Sequence, residues 1–107
     1  MDYDIKRGWF KNIEGNNLAQ LMEDVFGNVT SEGDTLVSSF GVLDRIEVRV
    51  LAIDKLDITT VNGDRTFSDE EIIESKRKLN EFAEKATGFN AKARMKRAQD
   101  KAKKGTL

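Results

Sequence analysis

The rhythm of hydrophobic and polar positions changes several times along the chain. Tyr3 and Ile5 alternate with Asp2, Asp4 and Lys6, which predicts a short first strand carrying on towards Trp9 and Phe10. In the stretch EGNNLAQLMEDVFG the spacing lengthens. Leu18, Leu21, Met22 and Val25 recur every three or four residues, the mark of an amphipathic helix, with Asn16 or Asn17 to cap it and Gly27 to supply a left-handed stop.

From Thr35 to Val61 the period shortens to two. Ile46, Val48 and Val50 alternate with Glu47 and Arg49, and Leu56, Ile58 and Thr60 alternate with Asp57 and Thr59. These are half-buried antiparallel strands, joined by a turn near Asp54 and Lys55. TLVSSF reads as a strand before them, set off by Gly41. Asn62-Gly63 has the chemistry of a two-residue hairpin turn, so a further short strand is expected to run on to Phe67.

SDEE then opens a long helix. Ser68 and Glu71 have the spacing of a capping box, and Asp69 and Glu70 suit the positive helix end. Its expected buried stripe is Ile72, Ile73, Leu79, Phe82, Ala83 and Ala86, with Glu74-Lys78 and Glu81-Lys85 as favourable pairs one turn apart. Thr87-Gly88 ends it, Phe89 packs back, and Asn90 caps a last helix. The order β-α-β-β-β(-β)-α-α calls for an α+β two-layer sandwich: an antiparallel sheet of four to five strands with helices on one face. Residues 1–89 form the core, and residues 90–107 a basic amphipathic helix and frayed tail of the same domain.

Composition removes whole chemistries. The 107 residues include no Cys and no His, which excludes disulfides, thiolate zinc sites, cysteine nucleophiles and serine triads resting on a histidine. No apolar run is long enough to span a membrane, and Met1 is followed at once by Asp2, Tyr3 and Asp4, so the expectation is a cytoplasmic protein with no membrane attachment. The cluster Asp69, Glu70, Glu71 and Glu74 is accounted for by the helix start and has no calcium-loop spacing. Gly33, Gly41 and Gly63 are isolated turn glycines. No metal, cofactor or catalytic residue is therefore expected.

The net charge of -1 conceals a dipole. Residues 1–84 carry ten bases and eighteen acids, net -8, whereas residues 85–107 carry eight bases and one acid, net +7. At about 100° per residue, Ala91, Met95, Ala98 and Ala102 form a narrow stripe on the last helix. The bases Lys92, Arg94, Lys96, Arg97, Lys101, Lys103 and Lys104 spread over the remaining arc. They are candidate contacts for a polyanion; the bland alternative is a solvated helix whose charge offsets the acidic body. In KRGWFK, Lys6, Arg7 and Lys11 surround Trp9 and Phe10, the mix of cation and aromatic plate on which single-stranded nucleic acid stacks. The competing reading places those rings in the core or at its edge.

SFGVLDRIEVRVLAIDKLDI and LNEFAEKATGFNAKARMKRAQ resemble a family of small uncharacterised archaeal proteins of about this length. The motifs are aromatic-Gly-x-Leu before Ile-Glu-Val, and Ala-Thr-Gly-aromatic-x-Ala-Lys before a basic helix. The resemblance covers most of the chain and implies no catalytic residue. The element order is also similar to the half-repeat of the TATA-binding-protein-like fold, in which a curved antiparallel sheet grips a long helix. Its DNA-binding sheet face has no counterpart here, since Glu47, Arg49, Asp57 and Thr59 mix both signs of charge.

These readings converge on a non-enzymatic binding module. Its basic last helix would meet nucleic acid or an acidic protein surface. The alternative is a scaffold that takes an apolar ligand near Phe82, Phe40, Leu51 and Trp9, or that forms a homodimer through the Met95 stripe.

Overall fold

The computed structural model describes the backbone from Asp2 to Gly105; the side chains of Ala98 and of residues 100–105 fall outside the described set, as do Met1, Thr106 and Leu107. The elements are β1 (Asp2–Asp4), a 3-10 turn (Phe10–Asn12), α1 (Asn17–Phe26), β2 (Thr30–Glu32), β3 (Thr35–Phe40), β4 (Leu43–Ala52), β5 (Lys55–Asn62), α2 (Asp69–Thr87) and α3 (Ala91–Gly105). All strand pairs are antiparallel, in the order β1-β5-β4-β3-β2. The α+β order read from the sequence is the order observed.

One face of this sheet is apolar because the period of two keeps it so. Ile46 and Val48 of β4 and Leu56 and Ile58 of β5 lie beneath the helices, together with Ser38 of β3. Against them stand Leu18, Met22, Val25 and Phe26 of α1, and Phe82, Ala83 and Ala86 of α2. Phe82 is the centre, fully buried, with the Phe26 ring 5.3 Å away at a tilted angle that suits aromatic pairs. The opposite face carries Arg45, Glu47, Arg49, Asp57 and Thr59 and is open. Arg45 links Glu32 at 2.8 Å to Glu47 at 3.0 Å across it, drawing Glu32 below the usual carboxylate range through their hydrogen bond.

Several expectations need correction. β1 stops at Asp4 and does not reach Trp9, because the chain turns away to meet the end of α2. No strand follows Asn62-Gly63: the Gly63 N–H donates to the Val42 carbonyl at 2.9 Å, and the loop folds back over α2. The additional strand lies instead at Thr30–Glu32, paired with β3. Ile72 and Ile73 are exposed, and Ser75 takes the inward position on those turns of α2.

The capping box is present. Ser68 Oγ accepts from the Glu71 N–H at 3.2 Å, and Glu71 Oε1 accepts from the Ser68 N–H at 3.3 Å. Glu81 pairs with Lys85 at 3.6 Å as expected, but Glu74 pairs with Arg77 at 3.4 Å and not with Lys78.

Candidate polyanion groove

The last carbonyls of a helix have no partner within it. In α2 two of them are met by the segment that follows β1. The Lys6 N–H donates to the Thr87 carbonyl at 2.7 Å, and the Trp9 indole Nε1–H donates to the Lys85 carbonyl at 2.8 Å. Gly88, at φ +81°, closes the helix by donating to the Glu84 carbonyl, and a Cβ there would stand 2.9 Å from the Trp9 ring. Only glycine combines that backbone with that approach. Trp9 is thus half-buried against α2, with Lys6 Nζ 5.9 Å from its ring centre.

α3 stands beside β1, held by two arginines. Arg94 donates to the Phe89 carbonyl at 2.5 Å and to Asn80 Oδ1 at 3.1 Å, and its guanidinium lies 5.7 Å from the Tyr3 ring centre. Arg97 donates through Nε to Asp4 Oδ2 at 3.1 Å and covers the Phe89 ring at 4.7 Å. Asp4 also pairs with Lys55. Asn90 caps the helix, accepting from the Ala93 N–H at 2.8 Å. The apolar stripe is not what docks it: Met95 is 65% exposed, and the inward side is the arginine side.

Of the candidate bases, then, Arg94 and Arg97 are engaged with the body, while Lys92 and Lys96 are exposed. Lys101, Lys103 and Lys104 lie outside the described side chains. Phe10 is half-buried in the 3-10 turn. The structure brings KRGWFK and the last helix together: a groove of about 860 Å³ runs between them, with Lys6, Arg7, Lys11 and Arg97 on its rim. Phe10, Phe89, Ile5 and Ile53 supply apolar wall, and Glu14 and Asp54 stand at its edges. Ile53, 72% exposed at the tip of the β4-β5 hairpin, gave no signal as a wall residue, since its neighbours read only as a turn.

Among the described residues, Phe82, Phe40, Leu51 and Trp9 are not brought together on one cavity. Phe82 is fully buried in the core, whereas Leu51 is exposed at the register shift between Val50 and Ala52. Among the described residues no helix is long and apolar enough to cross a membrane, and no three acidic side chains are clustered to hold a metal ion.

Comparison with known families decides one matter. A model described as a domain of unknown function, DUF5611, matches residues 1–100. The chain belongs to that family. No curated protein and no solved structure matches it significantly. Membership in DUF5611 assigns no chemistry, so function is argued from the groove.

Proposed function

We propose that this DUF5611 protein is a non-enzymatic binding module for a polyanion, single-stranded nucleic acid above all, seated in the groove between the KRGWFK segment and α3. The observation that carries the reading is the convergence of Lys6, Arg7, Lys11 and Arg97 on one groove with aromatic and aliphatic walls. Phosphates would follow the basic rim, and bases would lie against Phe10 and Phe89. Arg7 and Lys11 form no side-chain hydrogen bond or ion pair among the described residues, so their charge is available to a ligand. Lys92 and Lys96 extend the positive field along α3.

The sheet face is a poorer surface for the same ligand. Arg45 is bracketed by Glu32 and Glu47, and Arg49 shares a shallow depression with Glu47 and Asp57. The displaced acid-base groups Glu32, Arg45 and Glu71 belong to surface ion pairs with evident structural partners, which fits a binding role better than proton transfer.

The test is an electrophoretic and fluorescence titration with oligothymidylate at two salt concentrations, using the full chain and its Arg7→Gln/Lys11→Gln variant. Salt-sensitive binding weakened by the double substitution supports the groove. Binding indifferent to it sinks this reading.

A second reading rests on Ile73, 57% exposed on α2, and Met95 on α3: two apolar side chains left in solvent on the helical side. They suit self-association, which sedimentation of the protein over a hundredfold concentration range would detect.

A further inference from the structure

A second concavity lies at the other end of α2, away from the basic groove. It holds about 360 Å³ and is walled by Val42 of the β3-β4 turn, Leu43 of β4, Phe67 of the loop, and Ile72 and Leu79 of α2. That volume is within the range of small-molecule sites. What keeps it from collapsing is visible in its walls. Ser75 donates to the Glu71 carbonyl at 2.8 Å and accepts from the Val42 N–H at 3.0 Å, fixing the start of β4 against α2. Across the cavity, Phe67 is seated so closely on the turn that a Cβ at Gly63 would stand 2.9 Å from its ring. The Arg65 guanidinium covers the same ring at 4.2 Å and is itself tied to Glu71 at 3.0 Å.

The loop whose residues suit a hairpin turn therefore serves as a wall. Apart from Ser75, the polar side chains in the lining have been left without work. The Thr60 hydroxyl, the Asn62 amide and the Lys76 ammonium make no hydrogen bond or ion pair among the described residues, and Lys76 is the one charged side chain in the lining. An apolar chamber with spare donors and a single positive charge at its edge selects an amphipathic anion.

We propose that this chamber binds a small molecule with a compact, ring-sized apolar body and one carboxylate. The body would pack on Phe67, Ile72 and Leu79, and the carboxylate would be met by Lys76 with help from Asn62 and Thr60. The proposal is independent of the polyanion groove, since the two sites share no residue.

The experiment is a nitrogen-15 amide titration of the full chain with benzoate, benzyl alcohol and benzylammonium. Benzoate is expected to move, saturably, the amides around Leu43, Asn62, Phe67 and Leu79, and to bind about three- to fivefold tighter than benzyl alcohol, the scale of one solvent-facing ion pair. Lys76→Gln should reduce benzoate to the affinity of the alcohol. Ile72→Trp, at a position already exposed on the rim, should block both ligands while leaving the remaining spectrum in place. Benzoate shifts centred on Arg7, Lys11 and Arg97 would overturn the proposal. Equal binding of benzoate and benzylammonium, or unchanged benzoate affinity in Ile72→Trp, would do the same.

Discussion

Arg97 and Asp4, ninety-three residues apart, meet with both guanidinium Nε and Nη2 3.1 Å from one carboxylate oxygen. The carboxylate is only 12% exposed and is shared with Lys55, so β1, the β4-β5 hairpin and α3 are joined at one acid. Arg97 itself is about half exposed, and a pair of this kind contributes little to global stability. Its consequence is local: it decides where α3 stands.

Replacing Arg97 with Ala should leave the melting temperature of the body within a few degrees of wild type, because the loss is expected to be below about 1 kcal/mol. Amide exchange along α3 should accelerate markedly. Hydrogen exchange read by mass spectrometry separates these two effects, and unchanged protection of α3 would contradict the account of how it is held.

A harsher outcome is expected at Gly41. Its φ is +54°, and a Cβ there would sit 2.2 Å from Ser75 Oγ, which cannot yield because it is bonded on both sides. Left-handed strain and overpacking together make Gly41→Ala destabilising by about 3 kcal/mol. Denaturant titration gives the value directly.

The core should be equally intolerant at its centre. Phe82→Ala removes a fully buried ring in contact with Phe26 and should cost about 3–5 kcal/mol, much of what holds a domain of this size folded. Circular dichroism during thermal unfolding checks it. Phe82→Leu, which keeps most of the volume, should recover more than half of the loss.

Acid should loosen the start of α2. The Ser68 N–H and then Arg65 hold the Glu71 carboxyl below its usual value of 4.5. A carboxylate lowered on folding adds stability above its unfolded pKa, and that stability fades as pH falls through the lower folded value. The contribution is therefore present at neutral pH and is lost from about pH 4.5 downward. Glu71→Gln should be less stable than wild type at pH 7, and the gap between them should shrink under acid, where the wild-type carboxyl is itself protonated. Stability curves at pH 7 and pH 3 compare the two.

Most of the fold was legible because its elements obey simple periods. Alternation marked β4 and β5, Ser68 and Glu71 marked the start of α2, and Gly88 marked its end. The misses share a cause: tertiary contacts overrode local chemistry. Asn62-Gly63 has hairpin residues, yet the Val42 carbonyl and the Phe67 ring claim the turn. Ile72 and Ile73 fit the helical stripe, but Ser75 takes the buried position on those turns and leaves both isoleucines exposed. Thr30–Glu32 is three exposed residues and has no apolar rhythm to announce it.

The candidate site was visible as two separate charge clusters and not as one groove. No pattern in sequence could show that Arg97 reaches the side of the molecule where Lys6, Arg7 and Lys11 lie; that follows from Asp4 and from the Lys6 and Trp9 donors at the end of α2. Nor could it show that two arginines of the basic helix are bonded to the body.

The most direct test is oligothymidylate binding followed by Trp9 fluorescence, at low and moderate salt, with wild type and the Arg7→Gln/Lys11→Gln variant. Trp9 shares its loop with both bases and carries the single indole of the chain. Saturable binding is expected, with a steep loss of affinity with salt and a salt slope lower by about two charges in the variant. No binding at low salt, or identical salt slopes for the two proteins, would contradict it.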